Sequence, residues 1–271
     1  LFFGNYQIPE LIPENLSNMT TNPEETPLFP MLFVTIACGA ISGFHATQSP
    51  LMARCIKNEK LGRKIFFGTM ITEGIVALIW AAAAMTFFGN VGELNSAMLE
   101  NNNNAAWAAN EISLNMLGGI GGILALLGIV AAPITSGDTA FRSARLILSD
   151  ILKLDQKKIK NRLQLSLPLF IIAFVLTQLD FSIIWRYFAW SNQTLATVVL
   201  WTITAYLISK NKAFWITMIP AIFMTMVCST YILIAPEGFQ LANDLAYIGG
   251  ALMTTCISIL FWVYITKEKR V

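Results

Sequence analysis

The sequence predicts an all-α polytopic membrane protein of about seven transmembrane helices, N-terminus outside and C-terminus inside, and three observations carry that expectation. First, apolar stretches run from Leu28 to Thr47, Ile65 to Phe88, Ser113 to Ala132, Leu163 to Ser182, Ser191 to Ser209, Ala213 to Ala235 and Leu245 to Ile265. Each is about twenty residues long, and at 1.5 Å per residue that length crosses a hydrocarbon core of roughly 30 Å. Second, 17 of the 18 Lys and Arg residues fall into four groups, 54 to 64, 142 to 162, 210 to 212 and 267 to 270, which separate these stretches. Basic loops stay on the cytoplasmic side, so the four groups are cytoplasmic and the intervening segments external. Third, the chain is 55% hydrophobic and only 13% charged, as expected of a helix bundle solvated by lipid.

The external segments follow the same rule. Residues 1 to 27 carry Glu10, Glu14, Glu24 and Glu25 with no base, and Pro9, Pro13, Pro23 and Pro27 mark an extended external loop. Residues 28 to 271 then form the helical bundle. The opening LFFGNYQIPE has neither a Met nor a basic leader, so the chain reads as the C-terminal part of something longer. Residues 89 to 112 hold Glu93, Glu100 and Glu111 without a base, and the Asn101 to Asn104 run reads as a loop tip. Sequons at Asn15, Asn18 and Asn192 matter only in a eukaryotic secretory setting.

Within the first span, Thr35, Cys38, Ser42, His45 and Ser49 share one face if the helix is continuous, with Gln48 beside them. Gly39, Gly43 and Pro50 interrupt the same segment. Small and helix-breaking residues beside hydroxyls and the sole His suit a discontinuous transporter helix, whose unwound backbone supplies ligands to ions or substrate. A small-residue packing face is the equal alternative.

Glu73 is the only acid deep in a span. An ionised side chain there costs about 3 kcal/mol by insertion scales, so a proton-carrying carboxyl is the default reading, against a structural acid bonded to a neighbouring helix. In the third span Gly118, Gly119, Gly121 and Gly122 suggest close helix packing rather than dinucleotide binding. Beyond Pro133, apolar and charged residues alternate at helical spacing from Ser136 to Leu154, predicting one cytoplasmic amphipathic helix with Ser136 or Asp138 near its N-cap. Thr135, Ser136 and Asp138 carry oxygens able to ligate a cation, although capping alone explains them. Arg186, the sole external base, sits among Trp185, Tyr187, Phe188 and Trp190 and ahead of Asn192 and Gln193. This cluster is an aromatic belt or a hold for an anionic substrate group. Thr194, Thr197, Trp201 and Thr204 form a polar stripe on the fifth span that could line a pathway.

The net charge of +2 is spread over four loops, which argues against nucleic acid as a partner. Cys38, Cys55, Cys228 and Cys256 lack metal-type spacing, so neither a metal site nor a disulfide framework is expected, and no cofactor motif is present.

Three stretches, TIACGAISGFHATQSPLMAR from Thr35, TSGDTAFRSARL from Thr135 and WRYFAWSNQTLA from Trp185, closely resemble the carbon starvation protein A family of bacterial inner-membrane transporters. The resemblance implies proton-driven secondary uptake of pyruvate or small peptides in cells short of carbon. It also implies distant kinship with symporters whose spans include broken helices. This chain lacks the family's large N-terminal membrane region, which would be its partner in the whole protein.

Two other classes fit less well. A heptahelical receptor shares the seven spans and the outside N-terminus, but the third span does not end in an acid-Arg-aromatic triplet. The seventh has neither an Asn-Pro turn nor an interior Lys. A membrane-embedded hydrolase using His45 with Ser42 or Ser49 lacks an evident orienting acid and a G-x-S-x-G elbow, so no enzyme is expected.

Overall fold

In a computed structural model of the protein, the structure describes residues 17–36, 41–178 and 181–268. The described residues are helical, with turns and short loops and no strand. Five helical stretches are long and apolar enough to cross a membrane: Glu59–Phe87, Ala105–Ile151, Ile159–Leu176, Trp215–Ile234 and Asn243–Ile265. The chain divides into two compact units. The first holds the described part of Leu1–Pro27 with Asn58–Ala144; the second holds Leu28–Lys57 and the described part of Arg145–Val271.

The second unit opens with the first apolar stretch, which is not one helix. It forms α1, Leu28–Thr35, and α2, Phe44–Cys55, and residues 41 to 43 between them are non-helical. The single polar face expected from Thr35 to Ser49 therefore does not exist as a continuous stripe, and its Cys38 lies outside the described residues. Each half is shorter than a full crossing needs.

In the first unit the chain turns through a short 3₁₀ segment, Glu59–Leu61, and a π turn, Arg63–Phe67, into α3, Gly68–Phe87. Asn90 then caps α4, Val91–Glu100. Its Oδ1 accepts from the Glu93 N–H at 2.9 Å while its Nδ2 donates to Glu93 Oε1 at 2.9 Å. No helix is expected in this external segment from its charge alone; Asn90 followed three residues later by Glu93 is the capping-box signal that marks it.

The asparagine run has two tasks. Asn102 and Asn103 adopt φ of 54° and 53°, a conformation Asn tolerates better than most residues. Asn104 Oδ1 accepts from the N–H groups of Ala106 and Trp107 at 3.0 and 3.2 Å and starts α5, Ala105–Ile151.

α5 corrects two expectations. It passes through Pro133 without ending, so Ser136 and Asp138 lie inside a helix rather than at an N-cap. The amphipathic segment beyond Pro133 continues this span. Its break comes earlier, at Gly118, where φ is 69° and ψ is −178°, backbone that only glycine adopts without strain. A Cβ at Gly118 or Gly119 meets nothing within 4 Å, one at Gly121 meets this helix's own Leu117, and one at Gly122 lies nearest its own Leu114 and Ser113. Close packing against another helix is thus not what these glycines do among the described residues.

The second unit continues with α6, Ile159–Leu176; α7, Phe181–Ser209; α8, Trp215–Ile234; and α9, Asn243–Glu268. α7 starts well before the predicted Ser191, so Trp185 to Trp190 are helical. α8 is the buried centre: it packs on α7 and on α9, and α1 lies across it. Val34 of α1, Met224, Val227, Cys228 and Tyr231 of α8 and Ala235 form the core, flanked by Phe33, Ile41, Trp190 and Leu200. Phe33 and Phe223 meet edge to face with centroids 4.9 Å apart. Gly250 of α9 lies so near Thr230 of α8 that a side chain at 250 would overlap the Thr230 hydroxyl. Lipid provides little hydrophobic drive between helices, so close approach at small residues is what holds such a pair together.

Candidate functional site: an interrupted helix clamped by Asn192 and Gln193

The break between α1 and α2 exposes backbone groups that a continuous helix would satisfy internally. In a span those groups need partners, because no water is available in the bilayer core. α7 supplies them from two consecutive residues. The side-chain carbonyl of Asn192 accepts the N–H of Phe44, the first residue of α2, at 2.8 Å, and the Ser42 hydroxyl at 3.3 Å. The Gln193 amide donates from Nε2 to the carbonyl of Phe33, in the last turn of α1, at 2.9 Å. One helix thus terminates both halves of the interruption.

This arrangement needs α2 and α7 in close contact, and Gly43 allows it. A Cβ there would overlap the Asn192 carbonyl and come within 2.7 Å of the Ala196 nitrogen. Ser42 is positioned further by its own geometry: its Oγ accepts from the Phe44 N–H at 3.3 Å, and its carbonyl lies 3.2 Å from His45 Nδ1. Gln193 is only 1% exposed, and its Oε1 has no hydrogen-bond partner among the described residues. Thr197, one turn later, is also buried; its hydroxyl donates to the Gln193 carbonyl at 2.8 Å and lies 3.5 Å from Cys228 Sγ.

Of the residues singled out in the sequence, the structure brings together Ser42, His45, Asn192, Gln193 and Thr197. Gln48 and Ser49 follow on α2, both half-buried. The threonine stripe of α7 runs into α8 instead of lining open space. Trp201 Nε1 donates to Thr225 Oγ1 at 3.0 Å and the hydroxyls of Thr204 and Thr217 lie 2.8 Å apart, so these residues form a hydrogen-bonded seam between α7 and α8.

Glu73, Thr135, Ser136 and Asp138 belong to the first unit and Arg186 to the second. Glu73 sits in α3 and is exposed. The hydroxyls of Thr69 and Thr72 beside it donate to backbone carbonyls of their own helix, those of Ile65 and Gly68. Thr135, Ser136 and Asp138 are exposed on α5, and Asp138 pairs with Arg142 one turn on at 2.6 Å. Arg186 pairs through Nε with Glu237 Oε2 at 3.0 Å. Sequence reasoning missed Glu237, which looks like a solvated loop acid; the signal was an acid at the same boundary as the sole base outside the four groups. It also missed the Phe33 carbonyl, which no side-chain pattern reveals. Cys55, Cys228 and Cys256 are free thiols.

The sequence profile of the family described as carbon starvation protein CstA matches residues 6–120 and 112–231. An uncharacterized protein of Haemophilus influenzae is 49% identical over 117 residues, 43% of this chain and 85% of that protein. The pyruvate/proton symporter BtsT of Escherichia coli is 48% identical over 58 residues, 21% of this chain and 8% of the symporter. The peptide transporter CstA of Campylobacter jejuni is 24% identical over 291 aligned positions, which take in 82% of this chain and 41% of the transporter. The chain therefore spans less than half the length of these two named transporters. No solved structure matches it.

Proposed function

The chain belongs to the carbon starvation protein CstA family, and from that premise we propose that it is part of a secondary active transporter that imports a small carboxylate such as pyruvate, or small peptides, by proton symport. The observation that carries this reading is the interrupted first span, α1 and α2, held open by Asn192 and Gln193 in a buried polar cluster. Where a helix breaks in a membrane, backbone groups beyond those its caps take are able to bind a solute, and the N-terminus of the second half, α2, favours a carboxylate. Relatives named as a pyruvate/proton symporter and as peptide transporters support the substrate classes.

In this reading Ser42, His45, Asn192, Gln193 and Thr197 line the substrate pathway, and Gln48 and Ser49 extend it along α2. Thr135, Ser136 and Asp138 contribute from α5, Arg186 binds the substrate carboxylate at the external end, and Glu73 carries the proton. The chain takes seven crossings of the bacterial inner membrane, with the first made by the α1 and α2 pair and the fifth by α7. Lipid and an N-terminal membrane region of the same protein cover the apolar faces of α3, α5 and α6.

The test is uptake of labelled pyruvate and of a labelled dipeptide by the full-length protein in proteoliposomes, with and without an imposed proton gradient. Gradient-dependent accumulation of either solute supports symport. Binding without accumulation of both points to a receptor and overturns it.

A further inference from the structure

Glu237, in the turn between α8 and α9, is held by three side chains, Arg186 and Tyr187 of α7 and Tyr231 of α8. Both carboxylate oxygens are engaged. Oε2 receives Arg186 Nε from α7 at 3.0 Å, and Oε1 receives the Tyr231 hydroxyl from α8 at 2.5 Å. The Tyr187 hydroxyl donates to the Glu237 backbone carbonyl at 2.7 Å. The turn itself is pinned, since the N–H groups of Gly238, Phe239 and Leu241 donate to the carbonyls of Ala235, Ile232 and Leu233. Asp244, in the first turn of α9, forms no ion pair with the cluster among the described residues.

The two members of the pair are buried unequally. The Glu237 side chain is 2% exposed, whereas that of Arg186 is 41% exposed. The acid is fixed and the base faces outward, so the base is the member that an incoming anion can reach. A second carboxylate at Arg186 would leave one cation facing two anions, one of them buried, where like charges repel most strongly. Neutralising Glu237 removes that conflict.

We propose that Glu237 is a positioning residue for Arg186: it holds the guanidinium while ionised, and on taking a proton from the outside solution it yields Arg186 to the substrate carboxylate. The proposal rests on the reading that Arg186 binds the substrate carboxylate. The charge balance closes: the Arg186 and Glu237 pair is neutral before binding. Afterwards protonated Glu237 is neutral and Arg186 pairs with the substrate anion. Proton and carboxylate therefore bind cooperatively at one entrance, and each raises the affinity for the other by the same factor.

The experiment measures apparent KM for pyruvate by the full-length protein in proteoliposomes as external pH is varied, with internal pH and membrane potential clamped. Wild type should lose affinity as external pH rises, and more steeply than Glu237→Gln by up to about tenfold per pH unit, the slope of one linked proton. Glu237→Gln, permanently neutral at this position, should show a lower KM and keep only the slope that Glu73 contributes. A Glu237→Gln profile that keeps the wild-type slope overturns the proposal. Arg186→Ala separates the two layers. If it leaves KM unchanged, the reading of Arg186 as the carboxylate site fails as well; if it raises KM while Glu237→Gln keeps the wild-type slope, only the role of Glu237 fails. Should Glu237→Gln not reach the membrane, Tyr231→Phe removes one donor to the ionised carboxylate and should move the rise in KM to higher pH. An unmoved profile overturns the proposal equally.

Discussion

Gly43 rests directly on the backbone of Asn192, with the Leu195 Cβ and the Ala196 nitrogen each 2.7 Å from where its own Cβ would stand. No flexible side-chain end can yield there, because the neighbours include main chain. Gly43→Ala should therefore push α2 away from α7, stretch the bond from the Phe44 N–H to Asn192, and cost about 1–3 kcal/mol of stability. Thermal unfolding in detergent together with pyruvate uptake checks this. A variant with wild-type midpoint and wild-type uptake would show that α2 does not need this contact.

Asn192 and Gln193 should respond differently to substitution because one accepts and the other donates. Asn192→Asp keeps an acceptor for the Phe44 N–H and should retain more activity than Asn192→Leu, which loses the cap. Gln193→Leu strands the Phe33 carbonyl at a cost of about 1–3 kcal/mol. Ranking the three by unfolding temperature and uptake tests the assignment; Asn192→Leu behaving like Asn192→Asp would refute the capping role.

Glu73→Gln should abolish uptake driven by a pH gradient while leaving exchange of internal for external substrate, which need not release the proton. The Thr69 and Thr72 hydroxyls bond to their own helix, so Glu73→Ala should not strand them, and both variants should insert normally. Accumulation at the wild-type rate by Glu73→Gln would leave Glu73 a structural acid.

Orientation is checked by single cysteines in a Cys-free full-length background. Asn102, at the turn before α5, should react with an impermeant thiol reagent from outside, and Lys158 should not. The loop between α8 and α9 is best probed at Gln240, which is exposed and should also react from outside; Glu237, the obvious choice from sequence, is buried in its ion pair. Labelling at position 158 from outside would invert the topology.

The apolar runs are visible because span length is a one-dimensional property. Helix ends shifted, as at α7, because Trp185 to Trp190 read as an interface while their backbone is already helical. The interruption of the first apolar stretch is foreshadowed by Gly43, but the bond from Gln193 to the Phe33 carbonyl is not, since it depends on a partner 160 residues away. The Arg186 and Glu237 pair is likewise separated by 51 residues. The hydroxyl stripe of α7 is legible as polar, but its bonds to Thr225 and Thr217 of α8 are not, because periodicity reports a face and not what covers it.

The separation between the first span and its clamp also bears on the order of synthesis. The Phe44 N–H waits for Asn192, 148 residues downstream, and the Phe33 carbonyl waits for Gln193, 160 downstream. At the usual pace of translation that interval is roughly ten to thirty seconds. Throughout it, the loose ends of α1 and α2 have no partner from α7 and must be kept by water or the insertion machinery. Nascent chains stalled before residue 192 should leave this span accessible to protease or to thiol reagents, and extension past residue 193 should close it.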